Sequence, residues 1–313
     1  MIEKIVSVHL PVEENLEIKK QRIVPLSHLT GNEKRISIVT GIHGDELEGQ
    51  YVCYELARRI NENIVNLKGI VDIYPALNPL GIDSVTRGVP AFDLDMNRIF
   101  PGSEDGSMVE HIASKIISDL QGSSVCIDIH ASNIFLMEIP QIRISEKMAD
   151  RLVPLAEKLN MNFIWVHQAA TVLESTLAHS LNTKGVPTLV VEMGVGMRIT
   201  RSYGNQLVDG IFSLMKHLGI WQGNTKEPVK PILSKNPDEV QFINAGMAGI
   251  FLPSVSHCTN VKKGDEIGKI VDPLSSSILD TLDSPCDGFV FTIREYPVVD
   301  EGSLIARILT DCK

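Results

Sequence analysis

Five short runs rich in β-branched residues alternate with amphipathic segments from residue 36 onward, and this alternation constrains the fold more than any other feature. The runs are ISIVTGIH (36–43), IVDIYPALN (70–78), SVCIDIHAS (124–132), NFIWVHQ (162–168) and VPTLVVEMG (186–194), and a helix is predicted after each of them. Alternating strands and helices are typical of a largely parallel sheet covered by helices. The sequence therefore predicts an α/β fold.

Two of the predicted helices carry apolar side chains at the spacing of a helix with one buried face. The first stripe consists of Val109, Ile112, Ala113, Ile116, Ile117 and Leu120, and the second of Leu207, Val208, Ile211, Phe212 and Met215. Ser107 and Glu110 form a capping box at the start of the first helix. The segment 145–159 is less regular, because Pro154 is expected to kink or restart a helix there.

The composition changes after Gly219. Residues 221–239 are polar and rich in proline and lysine, as in a linker or a crossing arm. Beyond them no helical period is present, and short predicted strands alternate with turn sequences such as Lys263-Gly264-Asp265. We therefore expect two domains, which comprise residues 1–225 and a smaller all-β domain of residues 226–313.

The composition also excludes several classes of protein. The chain has 39 acidic and 29 basic residues, a balance that gives no long-range attraction to nucleic acid or anionic lipid. No stretch approaches the roughly 18 apolar residues of a membrane span, and the N-terminus lacks the apolar core of a signal peptide. Five cysteines without a CxxC pair fit a reducing environment better than a disulfide framework. We expect a cytoplasmic protein with no nucleic-acid or membrane partner.

The first candidate site residues lie where predicted strands end. His43 and Glu46 follow the first run, three residues apart on a strand-to-helix turn, and such a pair can converge on one tetrahedral zinc ion. The spacing alone is weak evidence, because it arises by chance in a chain with 9 histidines and 39 acidic residues. His130 ends another strand. Together with His43 and Glu46 it would give three zinc ligands, as in catalytic zinc sites, and leave the fourth position for water. Asp128 is placed to orient the ring of His130.

Two further motifs offer acid–base and anion-binding groups. Glu192 closes the most apolar run, where a carboxylate is either a general base near a metal or an ordinary strand-end acid. Asn97 and Arg98 lie side by side in a long loop, with Arg87 upstream of them. An amide next to a guanidinium suits recognition of a carboxylate, and the alternative is a salt bridge that staples the loop.

A family resemblance rests on five strings that occur in order, namely GIHGDE, Asn78-Pro79, TR followed by DMNRIFPG, DIH and VEMG. Together they resemble the succinylglutamate desuccinylase/aspartoacylase family, relatives of the zinc carboxypeptidases. The resemblance covers most of residues 36–220 and extends into the tail. It implies one zinc ion per subunit, with His43, Glu46 and His130 as the ligands.

The same resemblance assigns roles to four other residues. It implies that Glu192 is the general base and that Arg87 helps to polarise the scissile carbonyl. It further implies that Asn97 and Arg98 hold a carboxylate of the substrate. The implied reaction is hydrolysis of the amide of a small N-acyl amino acid or related carboxylate, by zinc-activated water and a glutamate base.

The resemblance also predicts the architecture, a zinc-carboxypeptidase-like sheet that is mixed but mainly parallel. The tail is similar to the two halves of a biotinyl/lipoyl-like barrel-sandwich. Carrier domains of that type present a modified lysine between the halves, and residues 272–280 contain none. We therefore expect the tail to act as a cap that narrows the channel to the active site.

Two other functions are compatible with the sequence. A metallocarboxypeptidase that acts on short peptides needs an open groove in place of the cap. A catalytically silent module that binds zinc or a ligand does not need a base, so the presence of Glu192 argues against it. The expected partner is a small-molecule carboxylate substrate, and the family resemblance suggests a homo-oligomer.

Overall fold

The computed structural model of the protein describes residues 1–92, 94–167 and 174–310. The helices are α1 (Glu48–Glu62), α2 (Pro79–Ser84), α3 (Met108–Leu120), α4 (Ala149–Ala156), α5 (Leu177–Thr183) and α6 (Arg201–His217). The strands up to residue 194 are β1 (Ile2–His9), β2 (Asn15–Ile23), β3 (Arg35–Thr40), β4 (Ile70–Tyr74), β5 (Val125–Ala131), β6 (Leu136–Ser145), β7 (Phe163–His167) and β8 (Thr188–Gly194). The later strands are β9 (Ile232–Ser234), β10 (Val240–Asn244), β11 (Gly249–Pro253), β12 (Asn260–Val261), β13 (Glu266–Asp272), β14 (Ser277–Asp283), β15 (Gly288–Arg294), β16 (Val298–Val299) and β17 (Leu304–Thr310).

A large mixed sheet runs through the molecule in the order β1-β2-β4-β3-β5-β8-β6-β15-β17-β10. Its centre is parallel, since β3 pairs in parallel with β4 and β5, and β5 pairs in parallel with β8. All seven residues of β5 are buried, as expected of a parallel strand that is covered on both faces. The predicted α/β class with a mainly parallel central sheet is confirmed.

Side chains of the central strands alternate between two hydrophobic cores. Ile36 and Ile38 of β3 and Ile127 of β5 belong to the core that contains α1 and α6. Val39 and Cys126 belong to the core that contains α3 and α5. Because alternate residues of a strand point to opposite faces, Asp128 and His130 of β5 lie on the side of α3 and α5.

The two predicted helical stripes are confirmed as the buried faces of α3 and α6. In α3 the capping box of Ser107 and Glu110 is present, and Ile112 and Ile116 are at most 2% exposed. Full burial of one such aliphatic side chain stabilises the fold by about 1.5–3 kcal/mol. Helix α4 contains Pro154 and ends two residues after it, in agreement with the irregularity expected there.

Strand β6 is a correction to the sequence analysis, which places only a helix between β5 and β7. The strand runs antiparallel to β8 and parallel to β7. Its sequence, LMEIPQIRIS, carries Glu138, Pro140, Gln141 and Arg143 at positions that are buried or half-buried. The strand also has buried aliphatic residues, but its polar side chains interrupt the apolar run by which the other strands are predicted. Glu138 accepts hydrogen bonds from Gln141 and Arg143, which allows these groups to lie inside.

From residue 232 onward the described chain forms short strands and turns without an α-helix, as predicted for an all-β tail. A second sheet has the order β14-β13-β11-β16, and it shares a core with β10, β15 and β17. β15 also pairs with β6, so the main sheet continues from the α/β part into the tail. The division into domains of residues 1–225 and 226–313 stays a prediction. None of the described helices is long and apolar enough to span a membrane.

Candidate active site

The candidate site lies at the carboxyl ends of β3, β5 and β8, the edge of a parallel sheet where ligands usually bind. β3 ends at Thr40 and leads into the loop of His43, whereas His130 and Glu192 occupy paired positions on β5 and β8. These side chains line one cavity of about 520 Å³. Arg87, Asn97 and Arg98 line the same cavity. Glu46 and Asp128 line it as well, so the structure brings together all eight side chains that the sequence analysis singled out.

The His43 loop is held close to the neighbouring loop by Gly44. The main-chain nitrogen of Gly44 donates to the carbonyl oxygen of Thr86 at 3.0 Å. A Cβ atom added to Gly44 would lie 1.9 Å from the carbonyl carbon of Gly81, so only glycine permits this approach. The glycine after His43 thus fixes the distance between the His43 loop and the loop that carries Arg87.

His43, Glu46 and His130 form a buried cluster with one ligand atom from each residue within 4.8 Å of the others. Nδ1 of His43 lies 2.7 Å from Oε1 of Glu46, and Nδ1 of His130 lies 3.0 Å from Oε2. Burial acts to raise the pKa of Glu46, but the charge of His130 and the contacts with both rings lower it to about 2. Glu46 is therefore a carboxylate, the form that binds a metal.

The outer nitrogen of each ring faces another carboxylate. Nε2 of His43 lies 3.0 Å from Oδ1 of Asp95, and Nε2 of His130 lies 3.2 Å from Oδ1 of Asp128. Histidines that bind metals usually have such a partner, which fixes the ring and leaves the other nitrogen for the ion. Two imidazoles and one carboxylate are a donor set typical of catalytic zinc rather than of magnesium or calcium. The residues therefore fit a zinc ion.

Asp95 is a residue that the sequence analysis missed. It also accepts a hydrogen bond from the main-chain nitrogen of Asn97 at 2.8 Å, and it thereby caps the short 3-10 helix Met96–Arg98. An aspartate two residues before Asn97 is a recognisable capping signal. Its contact with His43, by contrast, depends on how the loop folds over the sheet.

The loop residues Arg87, Asn97 and Arg98 differ in how strongly hydrogen bonds and ion pairs hold their side chains. Nη1 of Arg87 donates to Oε1 of Glu46 at 2.9 Å. The side-chain oxygen of Asn97 accepts from the main-chain nitrogen of Leu177 at 2.9 Å, so its NH₂ group is the one left for a bound anion. Arg98 donates to the carbonyl oxygen of Asn97 at 2.8 Å, and its ion pair with Asp95 is long, at 4.0 Å.

Glu192 takes part in a charged cluster that the sequence analysis missed. Nη1 of Arg143 lies 3.3 Å from Oε1 of Glu192, and Nη2 lies 2.8 and 2.9 Å from the two oxygens of Glu138. Arg307 of β17 pairs with the same Glu138 carboxylate. Burial raises the pKa of Glu192 above its usual value, although the charge of Arg143 acts in the opposite direction.

The chain matches a known protein family over most of its α/β part. The model of the succinylglutamate desuccinylase/aspartoacylase catalytic domain matches residues 32–218, more than half of the chain. The chain belongs to this family. The predicted membership is thus confirmed.

Individual members and neighbours support the same assignment. N-alpha-acetyl-L-2,4-diaminobutyric acid deacetylase of Halomonas elongata is 24% identical over 308 residues, which cover 96% of this chain and 89% of that protein. A succinylglutamate desuccinylase/aspartoacylase structure from Rhodobacter sphaeroides has a TM-score of 0.78 at 23% identity and covers 96% of this chain and 90% of that one.

A more distant neighbour confirms the predicted carboxypeptidase-like fold. A metallo-carboxypeptidase from Burkholderia cenocepacia has a TM-score of 0.53 at 12% identity. The match covers 69% of this chain and 63% of that chain. The match is one of fold alone.

Proposed function

We propose that this family member is a zinc-dependent deacylase that hydrolyses the amide bond of a small N-acyl amino acid or a related carboxylate. The observation that carries the proposal is the convergence of His43, Glu46 and His130 within 4.8 Å, in a cavity that Glu192 also lines. The 24% identical relative that deacetylates an N-acetylated amino acid supports the reaction type.

His43, Glu46 and His130 would hold the ion, and Asp95 and Asp128 would fix the two rings. A bound zinc ion supplies a Lewis acid and lowers the pKa of water to near neutrality. One zinc ion per chain matches the single donor set of this type among the described residues.

Glu192 is the proposed general base. It would take the proton of the attacking water and return it to the leaving amine, because its position next to His130 is on the metal side of the cavity. Its raised pKa suits a group that must both accept and donate a proton. Arg143 would keep the carboxylate in place.

Arg98 and the amide of Asn97 would bind the carboxylate of the substrate. Arg87 lies closer to the metal ligands, 2.9 Å from Glu46, and would stabilise negative charge on the carbonyl oxygen during attack. The proposed substrate therefore lies with its carboxylate towards Arg98 and its scissile amide between Arg87 and Glu192.

The cavity favours a deacylase over a carboxypeptidase that acts on peptides. Arg307 comes from the last strand of the tail and still lines the cavity. The tail therefore forms part of the wall, in the place where a peptidase needs an open groove. This supports the proposed role of the tail as a cap that limits access to small substrates.

The experiment that tests the function is amine release from a panel of N-acetyl, N-formyl and N-succinyl amino acids and short dipeptides. Each is measured with zinc and again after chelation. Chelator-sensitive release from an acyl amino acid is the expected result. Cleavage of dipeptides alone would replace the proposal with the carboxypeptidase function, and release that survives complete removal of the metal would contradict zinc dependence.

A further inference from the structure

We infer that the substrate carries a single carboxylate, so that neither its side chain nor its acyl group is anionic. The inference rests on the proposed function, since it concerns which N-acyl amino acids the same cavity accepts. It follows from a comparison of the four arginines that line the cavity, namely Arg87, Arg98, Arg143 and Arg307.

Among these arginines, Arg98 has the positive charge that neighbouring carboxylates neutralise least. Its side chain is 42% exposed, and the carboxylate recorded at ion-pair distance from it, Asp95, is 4.0 Å away. Arg87 is equally exposed but is paired with Glu46 at 2.9 Å and with Asp95 at 3.4 Å. Coulomb energy falls with distance, so Arg98 is the less neutralised of the two. One substrate carboxylate would satisfy it.

The two arginines on the other side are neutralised within the protein. Two carboxylates, of Glu138 and Glu192, face the two guanidinium groups of Arg143 and Arg307. Glu138 is 1% exposed, and both of its oxygens lie within 3 Å of Nη2 of Arg143. Charges at this end of the cavity therefore balance without a ligand.

These pairs are also held in place by their surroundings. The guanidinium carbons of Arg143 and Arg307 lie 5.9 and 5.7 Å from the ring centre of Trp165. Gln141 donates a further hydrogen bond to Glu138 at 2.9 Å. The Nε atoms of both arginines are buried and have no hydrogen-bond partner within the described part of the chain. Binding a second carboxylate here would require breaking pairs that are already formed.

A second carboxylate would also face like charge. It would lie near Glu138 and Glu192, and bringing like charges together costs binding energy. The rest of the wall on this side includes Ile144, Met148, Leu152 and Val190, which suit an apolar or neutral group. Both features favour substrates whose only negative charge is the carboxylate at Arg98.

The test compares pairs of substrates that differ in charge and little else. N-acetyl-L-glutamine is set against N-acetyl-L-glutamate, and N-acetyl-L-asparagine against N-acetyl-L-aspartate. For the acyl group, N-succinyl-L-glutamine is set against the analogue whose free succinyl carboxylate is a carboxamide. We expect kcat/KM to be at least about tenfold higher for the member of each pair that lacks the second carboxylate.

The outcomes separate the inference from the proposed function. Hydrolysis with equal or higher kcat/KM for a glutamate, aspartate or succinyl substrate than for its carboxamide partner would overturn the inference and leave the deacylase function standing. No hydrolysis of any substrate, in protein that holds zinc, would overturn both.

A variant tests the cause of the selectivity. Glu138→Gln removes the charge that neutralises Arg143 and Arg307 with little change of shape, so the ratio of glutamine to glutamate substrate should fall at least about threefold. The matched control is Glu295→Gln on an exposed residue, which should leave the ratio unchanged. An unchanged ratio in folded Glu138→Gln would contradict the assignment. The wild-type ratios decide the inference even where this variant does not fold.

Discussion

Glu192 lies opposite His130 in the register of two neighbouring parallel strands, so the proposed base and a proposed metal ligand stand side by side at one sheet edge. Neither residue needs a flexible loop to reach the other, because both side chains project from the same face of β5 and β8. Arg143, on the next strand, contacts Glu192 from the opposite side. The three adjacent strands β5, β8 and β6 thus hold the central side chains of the site in place.

The metal ligands give the first prediction. Replacement of His130 by Ala removes one of three ligand atoms and is expected to abolish stoichiometric zinc binding, measured by metal analysis after dialysis. Circular dichroism and Tm should show that the fold is retained. His217→Ala, at an exposed position near the end of α6, is the matched control and should keep its zinc. Unchanged zinc in His130→Ala would show that the ion lies elsewhere.

The proposed base gives the second prediction. Glu192→Gln keeps the shape of the side chain but cannot accept the proton of water, so kcat should fall by at least about 100-fold. Zinc content should not change, because Glu192 is outside the ligand set. Glu295→Gln provides a control for loss of a glutamate charge at an exposed ion pair. A kcat within a few-fold of wild type, measured in zinc-loaded Glu192→Gln, would assign the base to another residue.

Much of the fold was predictable, because the spacing of apolar residues along its strands and helices matches the faces that they bury. The central strands are buried on both faces and read as apolar runs, and α3 shows its buried face as a stripe that begins with a capping box. Strand β6 was missed because Glu138, Gln141 and Arg143 interrupt any apolar run. These residues are tolerated inside only because each finds a charged or polar partner in the folded chain.

The site likewise contains residues that were predictable from the sequence and contacts that were not. His43, Glu46, His130 and Glu192 were predictable, because strand ends in a parallel sheet converge on one edge. The contacts of Asp95 and Arg307 were not predictable from sequence. Asp95 reaches His43 through the fold of a loop, and Arg307 reaches Glu138 because a strand of the tail joins the sheet next to β6.

Substrate binding gives the third prediction. Arg98→Ala removes a charge-assisted hydrogen bond worth about 1.5–3 kcal/mol, so KM for a carboxylate substrate should rise about 10- to 100-fold with a smaller change in kcat. The carboxamide analogue should bind equally weakly to the wild type and the variant. Arg198→Ala removes an exposed arginine that pairs with Glu295, and its KM should match the wild type. The same KM in Arg98→Ala would leave Arg98 as a residue that only stabilises its loop.

The packing of α3 gives the fourth prediction. Ile116 is 0% exposed in the core between α3 and the sheet, and truncation to Ala should lower the free energy of unfolding by about 2–5 kcal/mol. Ser118→Ala, two residues further on the exposed face, should change it by less than about 0.5 kcal/mol. Denaturant unfolding measures both. Equal stability of the two variants would mean that the stripe is not the buried face.

The central claim is that His43, Glu46 and His130 bind one zinc ion on which amide hydrolysis depends. The most direct measurement is titration of the metal-free protein with zinc, with bound metal and release of amine from N-acetyl-L-glutamine recorded in the same samples. We predict that activity rises in proportion to bound zinc and reaches its plateau at one ion per chain, and that His130→Ala shows neither. Full activity in the metal-free protein, or zinc binding at one ion per chain in His130→Ala, would contradict the claim.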